Sequence, residues 1–324
     1  MTEQRVQLRK AFLVSQGLAT AAIQPLQPDA SFRRYFRIDH KGQRWMLMDA
    51  PPAHENVRAF VVIAQHLQRL GLRPPAVQAA DLEHGFALLE DLGDDTYTHL
   101  LANGVDETEL YTLAIDVLRY LHDHPQAVDL ERPAYSQSCL LDEALLLVDW
   151  YWPAVHGNPV SAPVRETYLQ IWRDILCELP AVPQTLVLRD FHVDNLLRVA
   201  GRSRVQQCAL LDFQDAVLGP AAYDVVSLLE DARRDLAPGL ASAMLERYLH
   251  AAKATEREQF MHGYTVLGAQ RHCKVIGIFQ RLCRRDGKCH YLIHLPRIKR
   301  LLQVHLQQPC LVSLRDWLMH YQLA

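Results

Sequence analysis

Residues 180–220 form an island in which the helical pattern of the flanking sequence stops. It contains two apolar runs of strand length, TLVL and CALLDF, with a short loop and the polar turn GRSR between them. Asp190, Asn195 and Asp212 lie at the ends or edges of these runs. An Asp, an Asn five residues later and an Asp after the next strand supply a carboxylate for an acceptor hydroxyl and hard oxygen ligands for Mg²⁺. The chemistry of this chain is therefore expected in the island.

The first ninety-two residues predict an antiparallel sheet with one helix. The runs SFRRYFRI and RWMLMDA flank a turn at 39–42, which indicates a β-hairpin. Apolar residues then recur at helical spacing from Val57 to Leu70, and Gly71 follows as a C-cap. Two more apolar runs, PAVQAAD and GFALLEDLG, predict further strands.

After Gly93 the sequence becomes mainly helical. An apolar stripe runs from Leu110 to Leu121, and helical periodicity resumes at Tyr223 and continues almost to the end. We therefore expect an α+β chain with two domains, a small antiparallel-sheet lobe at 1–92 and a larger, mainly helical lobe at 93–324.

Composition excludes several classes of protein. The formal net charge of -3 lacks the surplus of basic residues on which binding to nucleic acids depends. The N-terminal sequence mixes charges into its apolar residues, and no later stretch has membrane-spanning length. Seven scattered cysteines without a CxxC pair favour reduced thiols. We expect a cytoplasmic monomer with no nucleic-acid or membrane partner.

The island resembles the aminoglycoside phosphotransferase and choline kinase group, whose catalytic loop is written HxDxxxxN and precedes a strand ending in an Asp-aromatic pair. The resemblance implies a protein-kinase-like, two-lobed fold that uses ATP and Mg²⁺. It implies that Asp190 is the catalytic base and that Asn195 and Asp212 bind the metal. Asp224, in GPAAYDVVSLL, is similar to the buried Asp that supports the catalytic loop.

The sequence departs from the family at two positions, one in the nucleotide site and one in the catalytic loop. Met48 stands where the second hairpin strand of the family offers a Lys to the phosphates, and arginines of the preceding strand can substitute, unless they only cover an exposed strand face. Leu188 stands in place of the first His of the catalytic loop, and this replacement concerns the packing of the loop. The residues expected to bind the nucleotide are Arg33 and Arg34, with Glu90, Asp91 and Leu92 as the hinge that holds adenine.

Longer stretches, among them MDAPP, EDLGD and LGAQRHCKVIGIFQRLCRRDGK, resemble bacterial cell-wall-recycling kinases that phosphorylate the anomeric hydroxyl of N-acetylmuramate and N-acetylglucosamine. The substrate is then a small sugar, and a muramate carboxylate would suit a cationic partner. The residues expected at the substrate are His192, Asp215, Gln270, Arg271 and Lys274. For His192 a hydrogen bond to the loop backbone is the favoured structural alternative, and for the last three an ordinary polar helix face.

Three other functions remain open. A kinase of an amino alcohol or an aminoglycoside would need an acidic pocket for the amine, whereas the basic residues near 271 point weakly the other way. A non-catalytic nucleotide-binding module is favoured by Met48 and Leu188. A protein kinase is disfavoured because the segment from Asp212 to Gly219 carries no recognisable peptide-docking or activation-loop signature, and its short length suits a small acceptor.

Overall fold

A computed structural model describes the chain over residues 3–26, 32–201 and 203–323. Its contacts divide the chain into two compact units, Met1–Leu130 with Val193–Ala216 and Glu131–His192 with Val217–Ala324. This division follows contact density, and the lobe boundary predicted at residue 92 stays a prediction.

The order of elements follows the pattern expected from the sequence except for three short strands that were not predicted, Ala22–Pro25, Leu196–Arg198 and Val217–Pro220. Within the described ranges the strands are β1 (Ala22–Pro25), β2 (Arg34–His40), β3 (Gln43–Asp49), β4 (Val77–Asp81), β5 (Phe86–Glu90), β6 (Gln184–Val187), β7 (Leu196–Arg198), β8 (Cys208–Leu210) and β9 (Val217–Pro220). The α-helices of the same ranges are α1 (Glu3–Ser15), α2 (Val57–Arg69), α3 (Tyr97–Ala102), α4 (Glu107–Asp123), α5 (Gln137–Leu146), α6 (Trp152–His156), α7 (Ala162–Cys177), α8 (Ala222–Leu229), α9 (Leu240–Tyr248), α10 (Ala254–Asp286), α11 (Leu295–His305) and α12 (Val312–His320).

The first unit is built on a five-stranded antiparallel sheet in the order β1-β2-β3-β5-β4. The predicted hairpin is confirmed: His40 pairs with Gln43, and both residues between them have positive φ, 54° at Lys41 and 78° at Gly42. Such a two-residue turn matches the twist of the paired strands, and glycine adopts it without strain. The hairpin therefore fixes the register of β2 and β3.

Helix α2 confirms the helix predicted after the hairpin. Asn56 caps it by accepting a hydrogen bond from the Ala59 amide, and Phe60, Ile63 and Leu67 form its buried face. Helices α1, α3 and α4 belong to the same unit, as does the two-stranded pair of β7 and β8. The island thus contributes one short hairpin to the unit that contains the sheet.

The second unit is mainly helical, and β6 and β9 form its antiparallel pair. Its longest helix is α10, which packs closely against α5: a Cβ at Gly277 would lie 2.2 Å from the backbone carbon of Leu146. Only glycine permits this approach of the two helices. The approach brings the polar residues of α10 to α5.

The expectation that all cysteines are reduced thiols is wrong for one pair. Cys283, in the last turn of α10, forms a disulfide with Cys289, and the intervening Gly287 ends the helix with a φ of 71°. The left-handed glycine reverses the chain and brings the two sulfurs together, an effect that the spacing alone does not reveal.

Over the described ranges, no helix combines the length and hydropathy needed to span a membrane.

Candidate active site

A cavity of about 400 Å³ lies within the first unit. Residues from the sheet, from the segment after β5 and from the β7–β8 hairpin line it. Six of the residues predicted from the sequence are among them: Arg33, Glu90, Asp91, Leu92, Asn195 and Asp212. Apolar and aromatic walls come from Tyr35, Met46, Phe60, Leu89 and Leu211. The arrangement suits a ligand with a flat apolar part and a polar, charged end.

The two predicted metal ligands are held together by the β7–β8 hairpin. Asn195 ends a short turn before β7, Asp212 follows β8, and the Leu211 amide donates to the Asn195 carbonyl over 2.9 Å. Asp212 has a φ of 56°, a conformation uncommon outside glycine and frequent at functional sites. Carboxylate and amide oxygens are the ligands that Mg²⁺ prefers, so this pair fits the ion that the family implies.

Arg33 is the cation of this cavity that contacts a predicted metal ligand. Its Nη2 lies 2.7 Å from Oδ1 of Asp212, and its Nε lies 3.4 Å from Oε2 of Glu55. Burial lowers the pKa of the Arg33 guanidinium, but the Tyr35 hydroxyl and the two carboxylates outweigh this and raise it above its ordinary value. A buried, permanently charged fork at the polar end of the cavity can bind phosphate.

The neighbouring candidates lie elsewhere. Arg34 is exposed and does not line the cavity, because successive residues of a strand point to opposite faces. Met48 is 1% exposed, and its sulfur accepts a hydrogen bond from the Tyr35 hydroxyl over 3.6 Å. Burial raises the pKa of Tyr35 to about 12, so this hydroxyl remains a donor. The position of the missing Lys is therefore part of the hydrophobic core.

The side chains of the predicted hinge are bound by arginines. Arg73 forms two hydrogen bonds with Glu90, of 2.5 Å and 2.9 Å, and Arg37 donates to Asp91 over 2.7 Å. The Glu90 amide donates to the Ala76 carbonyl over 2.8 Å. These contacts fix the path of the chain at the cavity, and they already engage one of the backbone groups expected to hold adenine.

Asp190 belongs to the second unit, in the loop after β6. The preceding residue, Arg189, has a φ of 70°, and its amide donates to the Asp224 carboxylate over 2.8 Å, next to a 2.7 Å bond from the Leu188 amide. Asp224 is fully buried. The support predicted for this residue thus has a geometric basis, since both of its oxygens hold the backbone of the loop.

The cationic candidates on α10 are buried and have partners within the protein. Arg271 Nη2 lies 3.7 Å from the Asp190 carboxylate, and Lys274 donates to Glu143 over 2.8 Å. Gln270 donates to the Leu140 carbonyl over 2.9 Å. The exposed polar face considered from the sequence is therefore wrong: these side chains form a buried network with α5.

Nearby charges set the protonation of the carboxylates in this network. Partial desolvation raises the pKa of Asp190, whose side chain is still 42% exposed, but the charges of Arg271 and Lys274 outweigh this effect and hold the pKa below its ordinary value. Burial likewise raises the pKa of Glu143, and Lys274 with Arg189 lowers it below the ordinary range. Both carboxylates are ionised at neutral pH as a result.

The remaining candidates occupy different units. His192 is buried at the end of the Asp190 segment in the second unit. Asp215 is exposed in the first unit and accepts a hydrogen bond from Gln214 over 2.9 Å. Their roles at the substrate stay predictions.

Sequence reasoning missed three polar residues that organise these sites. Glu55 pairs with Arg33, Glu143 binds Lys274 and Arg189, and the Tyr223 hydroxyl accepts from Arg271 and Lys274, each over 3.1 Å. Glu143 carried a usable signal, because it is an acidic residue inside the apolar run of α5. The other two gave none, since a Glu before a helix and a Tyr within one are common.

Fold and site together define a transferase of the kinase type. The family model described as the phosphotransferase enzyme family matches residues 22–260, and the chain belongs to this family.

Curated relatives carry a more specific name. The chain is 34% identical to an N-acetylmuramate/N-acetylglucosamine kinase of Caulobacter vibrioides, with 99% of this chain and 98% of that protein covered. It is 37% identical to a protein of the same name from Pseudomonas putida, with 88% and 82% covered.

Solved structures confirm the predicted protein-kinase-like α+β fold. A choline/ethanolamine kinase family protein from Mesorhizobium loti has a TM-score of 0.64 at 11% identity, covering 99% of this chain and 100% of that one. The ADP-bound aminoglycoside phosphotransferase APH(2'')-Ib has a TM-score of 0.60 at 16% identity, covering 91% and 96%. At such identities the likeness establishes the fold alone.

Proposed function

We propose that this protein is an ATP-dependent kinase of N-acetylmuramate and N-acetylglucosamine that phosphorylates the anomeric (C1) hydroxyl. The observation that carries the kinase assignment is the cavity that contains the hinge segment, Arg33, Asn195 and Asp212 together. The assignment of the sugar substrate is supported by a relative named N-acetylmuramate/N-acetylglucosamine kinase that aligns over nearly the whole chain. We further propose that the enzyme acts in the recycling of cell-wall sugars, as a monomer in the cytoplasm.

In this proposal the cavity binds the nucleotide. Adenine lies against the apolar walls formed by Met46 and Leu89, next to the backbone of Asp91 and Leu92. Arg33 takes the place of the missing Lys and binds the phosphates in a bidentate manner. Asn195 and Asp212 would hold Mg²⁺, which neutralises charge on the phosphates.

Asp190 is assigned as the base that accepts the proton of the sugar hydroxyl. Its depressed pKa keeps the carboxylate ionised at neutral pH, and positioning with electrostatic stabilisation supplies most of the rate in phosphoryl transfer. No covalent intermediate on the protein is required. The roles of His192, Asp215, Gln270, Arg271 and Lys274 at the substrate remain predictions.

The decisive experiment measures ATP consumption with Mg²⁺ across N-acetylmuramate, N-acetylglucosamine, choline and kanamycin, and locates the phosphate of the product by NMR. Asp190→Asn, purified in the same way, should lose most of this turnover, because it removes the proposed base and retains the predicted metal ligands. We expect acid-labile phosphate on C1 of at least one amino sugar.

Each alternative predicts a different result. Turnover with choline or kanamycin alone would support the kinase assignment but would show that the substrate is an amine instead of an amino sugar. ATP binding without turnover of any acceptor would identify a non-catalytic nucleotide-binding module. Phosphate on a hydroxyl other than that at C1 would overturn the anomeric assignment, and the sugar would remain the assigned substrate.

A further inference from the structure

Arg189, directly before Asp190, is held in a conformation that a residue with a side chain seldom adopts. Its φ of 70° places it in the left-handed region. Three groups act on it: Asp224 accepts from its amide over 2.8 Å, Arg271 donates to its carbonyl over 3.0 Å, and Glu143 pairs with its guanidinium. Because the backbone at 189 sets the direction of the next side chain, these contacts determine where Asp190 points.

Arg271 acts on both residues of this pair. One of its terminal nitrogens donates to the Arg189 carbonyl and to the Tyr223 hydroxyl over 3.1 Å, and the other lies 3.7 Å from the Asp190 carboxylate. Its guanidinium lies over the Tyr223 ring at 5.2 Å, and the residue is 8% exposed. A planar guanidinium group that is bound at several points has little freedom to move.

Lys274, one turn further along α10, is neutralised within the protein. It donates to Glu143 over 2.8 Å and to Tyr223 over 3.1 Å, and it is 7% exposed. Glu143 is shared with Arg189, so its single negative charge lies between two cations and links them. The positive charges of this network are therefore engaged in holding the Asp190 loop.

We propose that Arg271 is a positioning residue for Asp190 and does not bind the carboxylate of the sugar. By fixing the Arg189 carbonyl and lying beside Asp190, its guanidinium directs that carboxylate towards the acceptor hydroxyl. The inference rests on the proposed kinase function, and it revises the substrate-binding role predicted for Arg271.

The charges around Asp190 make this inference measurable by pH. Arg271 and Lys274 approach it from α10, and Arg189 and His192 belong to its own loop. Without the charge of Arg271 the carboxyl protonates more readily, so the acid limb of the rate profile moves to higher pH. A contact that only stabilised the fold would leave this limb in place.

The test compares Arg271→Met and Arg271→Lys with the wild type at saturating Mg-ATP, from about pH 5 to 9, for N-acetylmuramate and N-acetylglucosamine separately. Arg285→Met is the matched control, because Arg285 lies at the exposed end of the same helix and pairs with Asp286. Nucleotide affinity and circular dichroism establish that each variant is folded.

We expect Arg271→Met to lower kcat for both sugars by roughly 100-fold, the effect of about 1 Å of misplacement, with KM little changed. Its acid limb moves to higher pH. Arg271→Lys keeps the charge without the fork, so it retains the acid limb and loses less kcat than Arg271→Met.

Two outcomes would overturn the inference. A rise in KM confined to N-acetylmuramate would make Arg271 a ligand of the substrate carboxylate. Wild-type kcat and an unmoved acid limb in a folded Arg271→Met variant would remove any role for it. If that variant does not fold, the same result in Arg271→Gln, which also lacks the charge, decides the same point. These outcomes differ from a failure of the proposed function itself. In that case the wild type and Arg285→Met would phosphorylate neither sugar.

Discussion

Nη2 of Arg33 lies 2.7 Å from Oδ1 of Asp212, so the cation assigned to the phosphates contacts a carboxylate assigned to the metal. The ion pair holds the two groups at the polar end of one cavity. In the proposed nucleotide complex Asp212 would hold Mg²⁺ and Arg33 would bind phosphate, so each charge of the ion pair would acquire a new partner of opposite sign.

Replacement of Arg33 is expected to weaken nucleotide binding. Arg33→Met removes a charge-assisted contact worth about 1.5–3 kcal/mol, so KM for Mg-ATP should rise by roughly 10- to 100-fold. Arg33→Lys should recover part of the affinity. Steady-state kinetics and calorimetric titration of ADP measure the effect.

Two neighbouring arginines make this experiment selective. Arg44→Met is the control, because Arg44 is an exposed residue of β3 with a side chain 66% exposed. Arg34→Met should raise KM less than Arg33→Met, since Arg34 does not line the cavity. A larger effect at Arg34 would transfer the phosphate contact to that residue.

Asp190→Asn tests the base. Removing a general base typically costs between 10² and 10⁴ in rate, so kcat should fall by roughly that factor. Affinity for Mg-ADP should stay close to that of the wild type, because Asn195 and Asp212 are intact. Wild-type kcat in this variant would contradict the assignment of Asp190.

Met48→Lys should fail to restore the contact that the family makes with a Lys. Met48 is 1% exposed beside the Tyr35 hydroxyl, and a buried ammonium without an anionic partner costs several kcal/mol. We expect a lower melting temperature and no recovery of KM in combination with Arg33→Met. Met48→Leu is the control of similar volume and should cost less than about 1.5 kcal/mol.

A second buried cluster should control stability in acid. Glu230 lies 2.6 Å from Nε2 of His272 and 2.7 Å from Nε2 of His305. Both contacts have hydrogen-bond geometry. Burial raises the pKa of Glu230, but hydrogen bonds from both histidines hold it well below its ordinary value, and burial lowers that of His272.

Both pKa shifts make the folded protein less stable as the pH falls. A depressed carboxyl pKa stabilises the fold above the unfolded value and loses this contribution as pH falls through the folded one. A His kept neutral by burial loses stability below its unfolded pKa of about 6.5. Stability should therefore decline from about pH 6.5 downwards and further in stronger acid.

Glu230→Gln checks this account. It should cost about 1–3 kcal/mol near neutral pH, and the difference from wild type should shrink in strong acid. Denaturant unfolding across pH measures it, with Glu246→Gln as control, because Glu246 is exposed with a side chain 69% accessible. A difference independent of pH would mean that the ionised carboxylate is not the source.

The sequence by itself determined most of the order of elements and singled out the polar loop residues. Strand alternation, helical spacing and turn glycines are local signals, and they placed the hairpin, α2 and the non-helical island correctly but missed the short strands β1, β7 and β9. The spacing of Asp190, Asn195 and Asp212 is also local, because the chain connects them through one loop and one short hairpin.

Only the tertiary structure decided which charges meet. Whether Arg33 or Arg34 enters the cavity depends on which face of the chain is buried at the start of β2. Packing of α10 brings Arg271 to the Arg189 carbonyl, 82 positions away, and Lys274 to Glu143, 131 positions away. Such pairings depend on packing between distant segments, which periodicity and composition do not encode. For that reason the cationic stretch on α10 resembled a solvated surface in the sequence and is a buried network in the fold.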